Sequence, residues 1–317
     1  MMNAKTLPIP SIATDVEAGL TAIPKSLPPR LFYDARGSEL FEQITALPEY
    51  YLTATERLIL ERHAAEMIAA AGSDLKVVEL GAGSAAKTVV LLRELARQQG
   101  SAIFYPVDVS VAALEEADER LRRAIPQIEL HPTVADYTAG LPFLHALEGR
   151  KLILYIGSSI GNFEPLEASA ILSHMRHSMS PGDAILLGTD MRKARRVLIP
   201  AYDDAAGVTA AFNKNVLARI NRELGGEFRL EEFAHKAVWN AAESRIEMHL
   251  ESLVAQRVRI RDLGLKVEFA RGETIHTENS YKFSMPMIHS IAANAGLTVE
   301  RTWSDDRGMF TVHLLRS

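Results

Sequence analysis

The most informative stretch of this chain is residues 151–163, Lys-Leu-Ile-Leu-Tyr-Ile-Gly-Ser-Ser-Ile-Gly-Asn-Phe, in which an apolar run ends in glycines, hydroxyls and an amide. A continuous apolar run is typical of a parallel strand buried between two helical layers, and ligands of open α/β sheets bind at the carboxyl ends of such strands. Residues 157–161, Gly-Ser-Ser-Ile-Gly, also match the Gly-x-Ser-x-Gly turn of serine hydrolases. The stretch therefore predicts a ligand site, either of a hydrolase or of another α/β enzyme.

A glycine turn earlier in the chain predicts a second ligand-binding element. Residues 77–84, Val-Val-Glu-Leu-Gly-Ala-Gly-Ser, indicate a strand and a turn, and a helix opens at residues 85–88. Gly81 and Gly83 let the backbone approach a ligand closely, and the first N–H groups of the helix are available as donors. The spacing Gly81-x-Gly83-x-x-Ala86 also satisfies the dinucleotide fingerprint, so this motif alone leaves the ligand open.

Acidic residues after the next predicted strands narrow the choice. Asp108 ends the second strand, where its carboxylate can accept both hydroxyls of a ribose. Asp136 and Tyr137 follow the third strand, where an acid and an aromatic ring can hold an adenine. Glu79, directly before the glycines, adds a negative charge that repels phosphates and favours a cationic ligand. Together these residues predict adenosine without a pyrophosphate, as in S-adenosyl-L-methionine.

The hydrolase alternative requires a nucleophile, an acid and a histidine, and Ser159, Asp190 and His313 occur in that chain order. The serine of such a turn leads directly into a helix. Here residues 162–165, Asn-Phe-Glu-Pro, intervene, and the proline favours a helix that begins only after them. This alternative is therefore the weaker one.

The elements that must position these residues alternate between strands and helices, which predicts a mainly parallel, Rossmann-like sheet. A helix is expected at residues 53–71, and the strands at 75–80, 102–107, 128–131, 151–156 and 184–189. Near the end of the chain, residues 297–303 and 309–315 are separated by Ser-Asp-Asp-Arg-Gly and predict an antiparallel hairpin.

A long insertion interrupts this alternation between residues 189 and 283. It contains a helical run at 207–224 and β-rich stretches at 244–258 and 266–269. The first fifty residues are punctuated by prolines, which favours a wrap or lid over a core element. We expect two domains, one of residues 53–192 and 283–317 and a smaller α+β domain of residues 8–52 and 193–282.

Composition limits the class of protein. The chain has 317 residues, a net charge of −5 and no cysteine, which excludes disulfides and thiolate metal sites and gives no reason to expect nucleic acid or membrane as a partner. His174 and His177 lie on one helical face without a third ligand, so we expect no metal. No signal-peptide-like or membrane-spanning segment is evident, and we expect a cytoplasmic monomer.

Several short motifs, in order and spacing, carry a resemblance to a known family: Leu-Phe-Tyr-Asp at 31–34, Gly-Ser at 37–38, Leu-Pro-Glu-Tyr-Tyr at 47–51, Glu-Leu-Gly at 79–81, Gly-Ser-Ser-Ile-Gly-Asn at 157–162, Ala-Tyr-Asp-Asp at 201–204, Phe-Asn at 212–213 and Thr-Glu-Asn-Ser at 277–280. From residue 25 onward the chain resembles the histidine-specific Nα-methyltransferases of ergothioneine biosynthesis. The resemblance implies a class I methyltransferase sheet, a substrate-binding second domain and S-adenosyl-L-methionine as methyl donor.

The resemblance also implies roles for individual residues. Asn162, Tyr33 and Tyr202 take the catalytic positions, with Asn162 and Tyr202 on the amino-acid head group, and Glu278 and Ser280 meet the imidazole beside Met248. The residues implied in cofactor binding are Gly81, Lys87, Asp108, Asp136 and Tyr137. Those implied in substrate binding are Tyr33, Tyr50, Gly157, Asn162, Tyr202, Met248, Glu278 and Ser280.

The chemistry of these residue types agrees with methyl transfer to an amine. Such a transfer is an in-line displacement, so the enzyme must mainly align nitrogen, carbon and sulfur. An amide and tyrosine hydroxyls can orient the amine, and a carboxylate at Glu278 can accept the imidazole N–H. The sequence thus predicts trimethylation of L-histidine to hercynine. An Nα-methyltransferase for another aromatic amino acid, a hydrolase using Ser159, and a non-catalytic adenosylmethionine-binding protein are the alternatives.

Overall fold

The computed structural model describes residues 4–7, 11–139 and 143–317. The described residues form two compact units. The first unit contains residues 4–7, Leu52–Arg192 and Lys282–Ser317, and the second unit contains residues 11–51 and Lys193–Tyr281.

The strands, in chain order, are β1 (Lys5–Thr6), β2 (Lys25–Ser26), β3 (Leu75–Leu80), β4 (Ala102–Asp108), β5 (Ile128–Leu130), β6 (Thr133–Val134), β7 (Arg150–Tyr155), β8 (Ala184–Asp190), β9 (Phe233–Asn240), β10 (Arg245–Ser252), β11 (Gln256–Ile260), β12 (Leu265–Phe269), β13 (Thr274–Tyr281), β14 (Thr298–Ser304) and β15 (Phe310–Arg316).

The α-helices are α1 (Ile12–Thr21), α2 (Ala35–Thr45), α3 (Tyr51–Ala71), α4 (Val89–Gln99), α5 (Val111–Ala124), α6 (Phe143–Ala146), α7 (Pro165–His177), α8 (Arg195–Tyr202), α9 (Val208–Leu224) and α10 (Met285–Asn294). None of the helices in the described part of the chain is long and apolar enough to cross a membrane.

The first unit is built on a mainly parallel sheet with the strand order β1-β6-β4-β3-β7-β8-β15-β14, and β5 pairs with β4. Neighbouring strands are parallel from β1 to β8, whereas β15 runs antiparallel to both β8 and β14. The strands β7 and β8 are buried along almost their whole length, as expected of apolar runs covered on both faces. The predicted α/β sheet with a terminal antiparallel hairpin is confirmed.

The core of the first unit joins this sheet to its helices. Ile59 and Leu60 on α3 and Leu92 on α4 are fully buried and belong to one cluster with Leu154 on β7 and Leu186 on β8. Because β3, β4, β6 and β7 run in the same direction, their carboxyl ends share one edge of the sheet. The glycine turn, Asp108, Asp136 and the segment after β7 all follow strands at this edge.

The second unit is built on a smaller sheet with the order β2-β13-β10-β9, and a separate hairpin pairs β11 with β12. β10 is antiparallel to both β9 and β13. α9 packs against β9 and β10, with Phe212, Val216 and Leu217 buried.

The expectation that the first fifty residues form a wrap or lid is wrong for the residues described. Val16 and Leu20 on α1 are buried, and so are Leu31 and Phe32. The ring of Phe32 stacks on that of Phe212 with 4.6 Å between centroids, which joins this segment to α9. Prolines here introduce short turns, such as the 3-10 turn at Pro29–Phe32, without preventing the apolar residues between them from forming a core.

Candidate active site

The glycine turn between β3 and α4 has the open backbone that a close-lying ligand needs. Gly81 and Gly83 have φ angles of +70° and +52°, which favour glycine. A Cβ atom at Gly83 would meet no atom within 4 Å, and one at Gly81 would lie 3.6 Å from Cε1 of Tyr137. The N–H groups of Gly81 and Ala82 both donate to the carbonyl of Val107, at 2.9 and 3.1 Å. The turn is therefore held against the end of β4.

Asp108 lies beside this turn at the end of β4. One carboxylate oxygen accepts the N–H of Gly83 at 2.9 Å, and the other accepts the N–H of Ser110 at 2.9 Å. Burial raises the pKa of Asp108, and the N–H groups of Ser110 and Gly83 oppose this shift. A carboxylate fixed by backbone donors, next to a glycine turn with open space, fits the ribose of an adenosine cofactor.

Asp136 and Tyr137 follow β6, and the ring of Tyr137 reaches the same turn. Asp136 is buried, and its Oδ1 atom accepts the N–H of Thr138 at 2.9 Å and the Thr138 hydroxyl at 2.6 Å. The ring of Tyr137 meets that of Tyr155 edge to face with 5.5 Å between centroids, and burial raises the pKa of Tyr137 to about 12. Tyr137 thus presents a neutral aromatic ring beside Gly81.

Lys87 is held by a residue that sequence reasoning missed. Its ammonium group forms an ion pair with the carboxylate of Glu56, which also accepts the N–H of Gly157 at 2.8 Å. Glu56 lies in α3 and is fully buried. A signal was present in the sequence, because Glu56 falls on the helical face that also carries Leu52, Ile59 and Leu60.

Glu79 differs from its prediction. Its side chain is buried, and Oε1 accepts the hydroxyl of Thr88 at 2.8 Å. Burial raises the pKa of Glu79 to about 8, against the opposing effects of Thr88 and Lys87. This shift favours the neutral carboxyl group near neutral pH and argues against the predicted negative charge of Glu79.

The segment after β7 forms a tight turn at the same edge of the sheet. Ser158 has φ and ψ angles of 59° and 23°, and its hydroxyl accepts the N–H of Asp190 at 2.9 Å. Residues Ser159–Asn162 then form a 3-10 turn, with Asn162 partly exposed. Gly157 and Asn162 therefore lie in the first unit, near the carboxyl end of β7.

The proposed hydrolase triad is not assembled. Asp190 forms a buried ion pair with Lys282 at 2.8 Å. Both ring nitrogens of His313 contact threonine hydroxyls: Nε2 lies 3.0 Å from Thr189 and 2.8 Å from Thr311, and Nδ1 lies 2.9 Å from Thr302. The hydroxyl of Ser159 donates to the carbonyl of Ile156 at 3.3 Å. The hydrolase alternative is wrong.

In the second unit, ring contacts connect the predicted tyrosines Tyr33, Tyr50 and Tyr202, with Phe41 between Tyr33 and Tyr50. The ring centroids of Tyr33 and Phe41 are 5.8 Å apart, those of Phe41 and Tyr50 are 6.3 Å apart, and those of Tyr50 and Tyr202 are 6.3 Å apart. The hydroxyl of Tyr202 lies 2.7 Å from the hydroxyl of Ser280. Tyr202 and Ser280 are both buried.

Met248 and Glu278 lie side by side on neighbouring strands. They are register partners of β10 and β13, and their exposed fractions are 2% and 9%. The register shifts between Met248 and His249, so that Thr277 has no register partner on β10. The Thr277 hydroxyl donates to the carbonyl of Met248 at 3.0 Å and to Oδ1 of Asn213 at 2.8 Å. The buried amide of Asn213 also donates to the carbonyl of His249 at 3.0 Å. Asn213 and Thr277 thus stabilise the register shift next to Glu278. The sequence motifs that contain these two residues did not indicate this role.

The structure divides the predicted site residues between the units. The cofactor residues Gly81, Lys87, Asp108, Asp136 and Tyr137 lie in the first unit together with Gly157 and Asn162. Tyr33, Tyr50, Tyr202, Met248, Glu278 and Ser280 lie in the second. The described residues contain no cluster of three or more histidine, cysteine, aspartate or glutamate side chains suited to a metal ion.

The parallel sheet, the glycine turn and Asp108 together are typical of S-adenosyl-L-methionine-dependent methyltransferases. Residues 12–317 match the model of a family described as histidine-specific methyltransferase, SAM-dependent, and the chain belongs to this family. It is therefore an S-adenosyl-L-methionine-dependent methyltransferase that acts on histidine.

Relatives span almost the whole chain. The chain is 47% identical over 304 residues to histidine N-alpha-methyltransferase of Mycolicibacterium smegmatis, which covers 96% of this chain and 94% of the relative. It is 43% identical to the protein of the same name from Mycobacterium tuberculosis, with the same coverage. Ergothioneine biosynthesis protein 1 of Neurospora crassa is 31% identical over 89% of this chain and 32% of that longer protein. The family predicted from the sequence motifs is confirmed.

Proposed function

We propose that this enzyme transfers three methyl groups in succession to the α-amino nitrogen of L-histidine, giving hercynine, as the first step of ergothioneine biosynthesis. The names of the relatives from Mycolicibacterium smegmatis and Neurospora crassa support this proposal. The structural observation that carries it is the pairing of Glu278 with Met248 on neighbouring strands, next to Ser280 and its contact with Tyr202.

The first unit is the cofactor-binding part of this proposal. S-adenosyl-L-methionine, when bound, supplies an electrophilic methyl group. Asp108 binds the ribose hydroxyls, and Asp136 and Tyr137 hold the adenine, because a buried carboxylate beside an aromatic ring offers both an acceptor and a stacking face. The turn at Gly81 lets the backbone approach the cofactor, and Lys87 is a further residue that binds it.

The predicted substrate-binding domain of residues 8–52 and 193–282 supplies most of the residues that recognise histidine. Glu278 accepts the imidazole N–H, Ser280 adds a hydroxyl, and Met248 limits the volume available to the side chain. Tyr202, Tyr33 and Tyr50 orient the amino-acid head group, and Gly157 and Asn162 are the other substrate-binding residues of this proposal. A side chain without a matching N–H cannot donate to the Glu278 carboxylate, and the loss of this hydrogen bond is the basis for selectivity.

No dedicated base is required in this proposal. Asn162, Tyr33 and Tyr202 orient the nitrogen lone pair, and the amine loses its proton to solvent before or during binding. Aromatic faces tolerate the cation that builds up as methyl groups are added. We further propose that the enzyme is a cytoplasmic monomer that needs no metal and no nucleic acid.

The direct test is mass spectrometry of L-histidine after incubation with the enzyme and S-adenosyl-L-methionine. Mono-, di- and trimethylated histidine should appear in that order, and α-methylation should be located by fragmentation. Parallel incubations with tryptophan, tyrosine and phenylalanine test the alternative of another aromatic substrate. Binding without turnover would instead support a non-catalytic adenosylmethionine-binding protein.

The pH dependence tests the proton-transfer proposal. An α-amino group titrates near pH ~7.7–8.0 in peptides, and the neighbouring carboxylate of a free amino acid raises this value. At subsaturating histidine the rate should rise through the mildly alkaline range, and Glu278→Gln should lower affinity without changing the shape of the profile. A rise at lower pH that Glu278→Gln abolishes would identify a carboxylate as the base.

A further inference from the structure

Glu56 is a charged residue in a position where apolar side chains are expected. It lies on α3 between the buried residues Leu52 and Ile59, and its side chain is fully buried. Burial of a carboxylate is unfavourable unless partners compensate its charge. The partners of Glu56 explain why a carboxylate occupies this position.

The surrounding backbone forms a slot for this carboxylate. Both oxygens accept the N–H of Gly157, at 2.8 and 3.0 Å, which fixes the carboxylate at the end of β7. On the neighbouring strand β8, a Cβ atom at Gly188 would lie 2.3 Å from Oε1 of Glu56. Glycine at position 188 therefore leaves the space that the carboxylate occupies.

The remaining bond of Glu56 is its ion pair with Lys87, whose side chain is only 21% exposed. The charges of Lys87, Glu56 and Asp108 all influence the pKa of the buried carboxyl group of Glu79, so these four side chains interact electrostatically. Burial raises the pKa of Glu79 to about 8, which favours its neutral form at pH 7. Glu56 therefore balances the charge of Lys87 through this ion pair.

We propose that Glu56 is a positioning residue for the cofactor: it holds the ammonium group of Lys87 in place and cancels its charge, so that the enzyme binds the cationic methyl donor without electrostatic repulsion. This inference rests on the proposed role of Lys87 in cofactor binding. S-adenosyl-L-methionine carries one more positive charge than S-adenosylhomocysteine, because methyl transfer converts the sulfonium into a neutral thioether. An uncompensated Lys87 would therefore disfavour the donor more than the product.

The test compares the two ligands in Glu56→Gln, which keeps the size of the side chain and an acceptor for the N–H of Gly157 but removes the charge. Calorimetry without histidine should show that the affinity for S-adenosyl-L-methionine falls about tenfold while that for S-adenosylhomocysteine changes by less than about threefold. Equal loss for both ligands would mean a merely structural role and would overturn the proposal, as would unchanged affinities.

Two further variants separate charge from shape. Glu56→Asp keeps the charge, so the ratio of the two affinities should stay near that of the parent even if both fall. The double variant Glu56→Gln/Lys87→Met removes both charges and should restore the ratio. If Glu56→Gln does not fold, Lys87→Met replaces it and should shift the ratio towards S-adenosyl-L-methionine, and an unchanged ratio there overturns the proposal.

These binding measurements need no turnover, so they are independent of the substrate. Failure of the proposed function would appear instead as absence of histidine methylation by the parent enzyme. With saturating cofactor, Glu56→Gln should also keep the KM for histidine within about twofold of the parent, because the glutamine still accepts the N–H of Gly157. A large rise in this KM would place the effect of Glu56 on the substrate and not on the cofactor.

Discussion

The two units hold their predicted ligand residues in different ways. In the first unit, Gly81 and Asp108 follow parallel strands at one edge of the sheet, and the charges near them are compensated by N–H groups or by an ion pair. In the second unit, Met248 and Glu278 lie within antiparallel strands, and Tyr202 meets Ser280 through neutral hydroxyls. We therefore expect cofactor binding to depend on charge and backbone shape, and substrate selection to depend on side-chain volume and a buried polar group.

The largest effect should come from the second unit. Replacing both Met248 and Glu278 with smaller apolar residues enlarges the pocket and removes the acceptor for the imidazole N–H. Sites that hydrogen-bond a substrate group can reject analogues lacking it by about 10⁴-fold or more, so the preference for histidine over tryptophan should fall at least about a hundredfold. Competition assays with both amino acids measure this change.

The control for this double variant is its affinity for S-adenosyl-L-methionine, which should remain within about twofold of the parent. A folded double variant that retains the parent preference for histidine would remove Met248 and Glu278 from the selectivity site. A large loss of cofactor affinity would break the division of roles between the two units.

Asp108 is the corresponding residue of the first unit. Charged hydrogen bonds contribute about 1.5–3 kcal/mol, so Asp108→Ala should weaken the binding of S-adenosyl-L-methionine at least tenfold. Calorimetry measures this loss directly. Asp108→Asn keeps an oxygen acceptor for the N–H of Gly83 or Ser110 and should retain the fold, so it distinguishes loss of ribose binding from collapse of the turn. Unchanged affinity in both variants would contradict the assignment.

The contrast between the units also explains what the sequence could predict. The buried parallel strands β7 and β8 contain apolar runs, so their approximate bounds and the residues at their carboxyl ends follow from composition and from the rule that ligands bind there. The strand β13, Thr-Ile-His-Thr-Glu-Asn-Ser-Tyr, is mostly polar yet mostly buried, because its side chains bind partners such as Asn213 and Tyr202. No apolar period could indicate such a strand, and only the family resemblance pointed to Glu278 and Ser280.

The ionisation of buried carboxyl groups is also beyond what the sequence could predict. Glu79 and Glu56 are both buried glutamates, but Glu79 accepts a hydrogen bond from a hydroxyl, whereas Glu56 is paired with Lys87. The sequence does not contain the distances that distinguish these two environments. It therefore could indicate neither the raised pKa of Glu79 nor the ion pair of Glu56.

The ionisation of Glu79 can be tested through stability. The pKa of Glu79 is about 8 in the folded protein, whereas the ordinary pKa of a glutamate is 4.5, so between these values the folded protein keeps a proton that the unfolded chain releases. Stability is therefore lost as pH rises across this range, by up to about 1.4 kcal/mol per pH unit, and the loss stops above the folded pKa. Glu79→Gln cannot titrate but can still accept the Thr88 hydroxyl.

Urea unfolding of parent and Glu79→Gln at pH 5.5, 6.5 and 7.5 measures this contribution, because the other titrating groups are shared by the two proteins. The variant should gain stability relative to the parent as pH rises, by up to about tenfold in the unfolding equilibrium constant per pH unit. Parallel stability profiles would show that Glu79 is already ionised in the folded protein.

The smallest effect should be at the contact between Tyr202 and Ser280. Tyr202→Phe and Ser280→Ala each remove one hydroxyl of a pair that is 2.7 Å apart. A neutral hydrogen bond contributes about 0.5–1.5 kcal/mol, so each variant should raise the KM for histidine about two- to tenfold and leave the affinity for S-adenosyl-L-methionine unchanged. If the two hydroxyls act together, the rise in KM of the double variant should be smaller than the product of the two single rises. A rise equal to that product would mean that each hydroxyl acts on histidine separately. A change in cofactor affinity would show that the second unit also contributes to cofactor binding.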